Sequence, residues 1–218
     1  MTLPRLRYQT LEFGDIDIHL CTLRDTQEYS DPQGEAENLG INSATWSLFG
    51  VVWPSSLVLA HFLNDFETSD KRILEVGCGM ALSSLLLNKR RDDITATDYH
   101  PEAEMFLQRN TLLNGDRDIA FERVGWADDE DSLGRFDLIV GSDVLYEDDH
   151  IDLLANFLNN HAQPACEIVL VDPGRGRKSK LSTRMAEFGF EAAHEKPQHT
   201  DYLQKAYKGD ILRFRRSQ

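Results

Sequence analysis

The segment Arg72-Ile-Leu-Glu-Val-Gly-Cys-Gly-Met80 constrains the fold more than any other part of the chain. A short apolar run carrying one glutamate, Glu75, leads straight into Gly77-Cys78-Gly79. Helical character begins at Ala81. The pattern predicts a buried strand turning tightly into a helix. Gly77 and Gly79 lack Cβ atoms, so their backbone accepts φ > 0 and lets a ligand come close. A crevice beyond the C-terminal end of a parallel strand is where open α/β sheets bind nucleotides.

The flanking sequence fits such a sheet. Strands are predicted near 72–76, 94–98, 119–124, 136–142 and 167–171, and helices over 81–90, 101–113, 150–160 and 178–188. Pro101 at a first turn and Gly115 past the end frame the second of these helices. Ile151, Leu154, Phe157 and Leu158 mark one face of the third. Alternating strands and helices imply a mostly parallel sheet with helices on both faces. After Gly189 the alternation stops, and 190–193 and 210–215 read as a final antiparallel pair. The expected fold is therefore α/β, a Rossmann-like sheet of seven strands with an antiparallel end.

Upstream, two period-2 runs surround Gly14-Asp15 and predict a β-hairpin. Residues 25–43 are rich in Asp, Glu, Asn and Gly and read as a loop with mobility. Pro54 suits the first turn of a helix in the apolar stretch 46–62. The expected division is an N-terminal extension over 1–45 and one domain over 46–218. At 218 residues the chain can bury roughly 70% of its unfolded surface, enough for an unstapled core.

Charge and cysteines narrow the function classes. The net charge of −14 argues against nucleic-acid and anionic-membrane partners. No apolar run reaches about 18 residues, and the N-terminus does not read as a secretory signal. Three widely spaced cysteines, Cys21, Cys78 and Cys166, suit a reducing, cytoplasmic setting. The histidines lack metal-ligand spacing, so no metal is expected.

The glycine turn alone leaves the ligand open. A dinucleotide fingerprint needs a small residue where Leu82 stands, and a P-loop needs a lysine that Met80-Ala81-Leu82 does not supply. Asp98 ends the next strand, where a carboxylate can accept hydrogen bonds from both ribose hydroxyls of a cofactor. Several nucleotide-cofactor classes need that group.

At these residues the chain resembles the class I S-adenosylmethionine-dependent methyltransferases. Glu75-Val76-Gly77-Cys78-Gly79 is similar to their first motif and Thr97-Asp98 to their second. Within that class it resembles the seven-strand protein-lysine methyltransferases, methyltransferase family 16. The matching pieces are Trp53-Pro54, Asn110 with Asn114, Gly125-Trp126, and Asp143-Val-Leu-Tyr146. Asp172-Pro-Gly-Arg175 is similar to members like the electron-transfer-flavoprotein β-subunit lysine methyltransferase. Met80-Ala81 departs from the Thr-Gly more usual there.

The resemblance implies S-adenosylmethionine as cofactor and a lysine side chain of a protein as methyl acceptor. It implies that Glu75 and the backbone of Gly77 and Gly79 hold the methionine portion, and Asp98 the ribose. Tyr99 and Trp126 then flank the adenine, with Trp53 and Ser142 completing the cofactor site. Asp143 orients the acceptor amine and stabilises the developing positive charge. Tyr146 supplies an aromatic wall on the same side if a helical turn follows Asp143. Glu147, Asp148 and Asp149 form an acidic rim able to attract a basic peptide. Arg175 and Arg177 are available to an acidic part of a protein partner. A small amine or nicotinamide-like acceptor, and a non-catalytic cofactor-binding role, stay open alongside this reading.

Overall fold

The computed structural model describes residues 4–128, 132–146 and 150–217. The central sheet runs β5-β4-β3-β6-β7-β9-β8. Its strands are β3 (Arg72–Val76), β4 (Asp93–Asp98), β5 (Ala120–Arg123), β6 (Phe136–Ser142), β7 (Ala162–Asp172), β8 (Glu191–Glu195) and β9 (Asp210–Arg216). Strands β3 to β7 pair in parallel, and β9 pairs antiparallel with both β7 and β8. From β3 the chain moves outward through β4 and β5, then returns to lay β6 on the other side of β3. The strand order reverses there, which opens a crevice at the C-terminal ends of the strands.

Both faces of the sheet are covered, so its central strands read as apolar runs rather than alternating ones. Successive side chains feed opposite layers. Leu74, Ile139, Ile168 and Leu170 pack with α5 (His150–His161) and α6 (Lys178–Glu187). Ile73, Val140, Val169 and Val171 pack with Val58, Leu59 and Leu63 of α2 (Pro54–Asn64). Two further helices, α3 (Leu82–Lys89) and α4 (Ala103–Asn114), follow β3 and β4. Gly141 has no room for a side chain, because a Cβ there would lie 2.8 Å from Val76 Cγ2 and 3.0 Å from Val76 O. Its absence lets β6 lie against β3 where the crevice opens.

The hairpin forms as its pattern predicts, from β1 (Leu6–Phe13) and β2 (Ile16–Leu23). Gly14 at φ 61° closes the two-residue turn. Phe13, Ile18 and Leu20 bury against Ala60 of α2 and Leu82, Leu85 and Leu86 of α3. The outer edge of β2 is met by two asparagine amides of α4. Asn110 accepts from Cys21 N at 2.7 Å and donates to Cys21 O at 3.2 Å. Asn114 does the same to His19, with both bonds at 2.8 Å. Spaced i, i+4 on the helix, the pair matches two residues of one strand edge.

Two expectations are corrected. Residues 25–43 are not all loop. Asp31 accepts from Glu35 N and Glu37 N and starts the short helix α1 (Glu35–Asn38), and a 3₁₀ helix follows over Ser43–Leu48. Strand β7 starts at Ala162, five residues early. Its partner register jumps from Phe136↔Ala162 to Leu138↔Glu167, so an irregularity there absorbs the polar stretch around Pro164.

Candidate active site

The turn after β3 is built from three residues at positive φ: Gly77 at 60°, Gly79 at 52° and Ala81 at 56°. Cys78 N donates to Thr97 O at 2.9 Å, tying the turn to β4. A Cβ at Gly77 would meet Val144 Cγ1 at 2.9 Å, whereas a Cβ at Gly79 would meet nothing within 4 Å. Gly77 is thus required by packing and Gly79 faces open space. Ala81 sits in the left-handed region without glycine's freedom, where an L-residue carries strain of roughly 1–2 kcal/mol.

Glu75 lies behind this turn and does not line the cavity. Its Oε2 accepts from Ser84 N at 2.9 Å and Ser84 Oγ at 2.5 Å, placing a carboxyl at the N-terminal turn of α3. Burial pushes its pKa up to about 7, against the hydrogen bonds from Ser84. In this arrangement the carboxyl braces the turn that follows β3.

Asp98 ends β4 and closes the turn from the other side. Its Oδ2 accepts from Gly79 N at 2.7 Å and its Oδ1 from His100 N at 2.8 Å. Burial raises its pKa, opposed by the hydrogen bonds from the His100, Gly79 and Tyr99 amides. A carboxylate has about four lone-pair sites, so acceptor capacity remains on the cavity side.

The crevice is a cavity of about 420 Å³. Gly77, Gly79, Asp98, Tyr99, Trp126, Trp53, Ser142, Asp143 and Tyr146 all line it. Every expected site residue except Glu75 is thus brought to one cavity. The segment between β2 and α2 roofs it. Tyr99 OH donates to Leu39 O at 2.9 Å, and Trp53 Nε1 donates to Leu48 O at 2.9 Å.

His100 also lines the cavity and was not singled out by the sequence. Its ring stacks on Phe49 at 3.6 Å and 5°, and meets Tyr29 edge-on at 4.6 Å. Burial lowers its pKa to about 4, so it is neutral at pH 7. Its Nε2 is buried without a hydrogen-bond partner. Only its position after Thr97-Asp98 could have drawn attention to it.

Asp143 leaves β6 at φ 56° and donates its N–H to Val171 O at 2.9 Å. Residues 144–146 have no regular secondary structure, and Tyr146 reaches the cavity. Tyr146 meets His150 edge-on at 5.7 Å, and Trp126 meets the same ring at 6.0 Å. Arg175, whose pose the sequence left open, donates Nε and Nη2 to Asp143 Oδ1 at 3.0 and 2.8 Å. Glu147, Asp148 and Asp149 lie outside the described residues. Among the described residues no cluster of His, Cys, Asp or Glu could hold a metal ion.

Residues 35–186 match the sequence profile of a family described as lysine methyltransferase. The chain belongs to this family. The match runs from α1 to α6, so it contains every residue of the cavity named above. Over 119 residues the chain is 34% identical to the protein-lysine methyltransferase METTL21E of Bos taurus, covering 49% of this chain and 41% of that protein. Over 182 residues it is 29% identical to the electron transfer flavoprotein beta subunit lysine methyltransferase of Mus musculus, covering 78% and 65%. The chain thus spans about two fifths of the first relative's length and just under two thirds of the second's. A crystal structure of a methyltransferase from Pyrococcus furiosus superposes with a TM-score of 0.60 at 20% identity, over 75% of this chain and 83% of that one. That likeness supports the seven-stranded Rossmann-like fold.

Proposed function

We propose that the chain is an S-adenosylmethionine-dependent N-methyltransferase acting on a lysine side chain of a protein. The observation that carries the reading is one cavity joining the Gly79–Asp98 end to the Asp143–Tyr146 end. The first end fits the cofactor. Gly79 leaves open space where a side chain would intrude, Asp98 keeps acceptor capacity, and Tyr99 and Trp126 offer aromatic surface for adenine. When bound, the cofactor supplies an electrophilic methyl group on a sulfonium.

The chain's own residues bind, orient and exclude water. Trp53 and residues of the 41–51 segment line the cavity and limit the access of water to it, which strengthens polar interactions inside. Asp143 accepts a hydrogen bond from the acceptor nitrogen, fixes its direction and stabilises positive charge as it grows there. Tyr146 walls that position. Free lysine has a pKa of about 10.4, so the nitrogen must shed a proton before it can attack.

A protein partner fits the relatives' names and the chain's charge of −14, which favours a basic surface and disfavours nucleic acid and anionic membranes. Three free, buried cysteines suit a reducing cytoplasmic setting. Among the described residues no helix is long and apolar enough to cross a membrane. The test has two stages. S-adenosylmethionine should raise the apparent melting temperature and NAD should not. Radiolabelled cofactor with cell lysate should then label a protein, and mass spectrometry should place the methyl on lysine. Label confined to small molecules would transfer the reading to a small-amine acceptor.

A further inference from the structure

We propose that Arg175 is a positioning residue for the acceptor subsite: it fixes Asp143 by one oxygen and balances its charge, so that the acceptor nitrogen is held by the other oxygen without being locked in its protonated form. The inference rests on the methyl-transfer reading.

The geometry is asymmetric. Arg175 does not straddle the carboxylate in the fork-to-fork manner open to it. Both donated hydrogen bonds converge on Oδ1. Among the described residues no other side chain bonds this carboxylate, which leaves Oδ2 for a ligand. The pair lies in the cavity wall, with Asp143 mostly buried and the Arg175 side chain 37% exposed. The backbone fixes the aspartate as well, through its left-handed φ and its bond to Val171 O.

Charge gives the arrangement its purpose. An isolated carboxylate beside a lysine favours the ammonium form, whose nitrogen has no lone pair for attack. A guanidinium within hydrogen-bonding distance of the same carboxylate opposes that preference. It also draws the Asp143 pKa down against burial, the larger influence, which leaves the carboxyl above its ordinary value. Arginine suits this role because it does not lose its proton. Among the described residues, the other titratable groups around the pair include Asp172 at the end of β7, Tyr207 before β9, and Tyr146 and His150 along the cavity. Asp172 adds negative charge, which raises the Asp143 pKa further; burial is the largest influence, and Arg175 acts against both. Glycines flank Arg175 at φ 96° and 84°, conformations that turn its short loop back over the cavity.

The first measurement needs no substrate. Carbon-detected NMR of the full chain, labelled at aspartate carboxyls, follows the Asp143 titration in wild type, Arg175→Gln and Arg175→Lys. Removing the cation should move the Asp143 midpoint up by roughly one to three units, and lysine should restore part of it. An unchanged midpoint overturns the proposal. The second measurement is the pH–rate profile of methyl transfer to total lysate protein. In Arg175→Gln the carboxylate and the neutral amine both form at higher pH, so the profile should move alkaline. At neutral pH kcat should fall while KM for the acceptor does not weaken. A uniform loss at every pH marks a merely structural role and overturns the proposal. An inactive wild type sinks the methyl-transfer reading and the acceptor role with it, whereas an active wild type with an unshifted Arg175→Gln profile sinks only the role of Arg175.

Discussion

At the scale of single residues, two glycines that look equivalent in the sequence have different duties. Gly79→Ala adds a methyl where no atom lies within 4 Å, at φ 52°. It should cost roughly 1–2 kcal/mol of stability from backbone strain while lowering S-adenosylmethionine affinity tenfold or more. Gly77→Ala carries the same strain plus a 2.9 Å approach to Val144 Cγ1, so it should be the less stable of the two. Denaturant midpoints and isothermal titration separate the effects. Asp143→Ala tests the other end. Its partner is a charge that grows during the reaction, so cofactor affinity should hold while single-turnover methylation falls about 10²–10³-fold. Near-normal turnover would reduce Asp143 to a backbone corner. Asp98, Tyr99, Trp126 and Tyr146 were legible because each follows a strand end in an ordered set of motifs. The direction of Arg175 was not, since an arginine between two glycines reads as a flexible contact until its partner is seen. Nor was the partner of Glu75. Its sequence position was clear, but its bond to Ser84, nine residues on, was not.

At the scale of elements, the junction of β3 and α3 depends on a buried carboxyl whose pKa stands at about 7 against an ordinary 4.5. The folded state therefore holds a proton that the unfolded chain releases earlier. Its contribution to stability is full below about pH 4.5 and is lost as pH rises through about 7. Glu75→Gln removes this dependence. Relative to the wild type, the variant should gain stability between pH 5 and pH 8, as chemical denaturation at the two values would show. A constant difference would mean that Glu75 stays ionised. The strands around this junction were readable as unbroken apolar runs, because a parallel strand covered on both faces has no polar side to show. Strand β7 was read short because Gln163, Pro164 and Glu167 break its run, and only pairing with β6 reveals the extra length. The short helix α1 escaped notice because Asp31, three residues before its first-turn N-cap, supplies the cap from a distance.

At the scale of the whole molecule, the roof, the hairpin and the sheet meet at α4, which begins just beyond Asp98 and His100. Asn110 is fully buried and makes both of its contacts to Cys21. Asn110→Ala strips partners from a buried N–H and C=O and should destabilise the protein by roughly 2–4 kcal/mol, measured by denaturant unfolding. Asn114→Ala, whose site is exposed, should cost less. The hairpin was predicted from its alternation, but its place on α4 was not, because an Asn-x-x-x-Asn spacing states that two amides share a helix face and says nothing of what they reach. The two amides have a consequence beyond docking. The edge of a two-stranded ribbon is an open template for another extended chain. Here the rungs at His19 and Cys21 are already filled by side chains that imitate a neighbouring strand and cannot be extended, so the outer edge of β2 is closed to self-recruitment at these two residues.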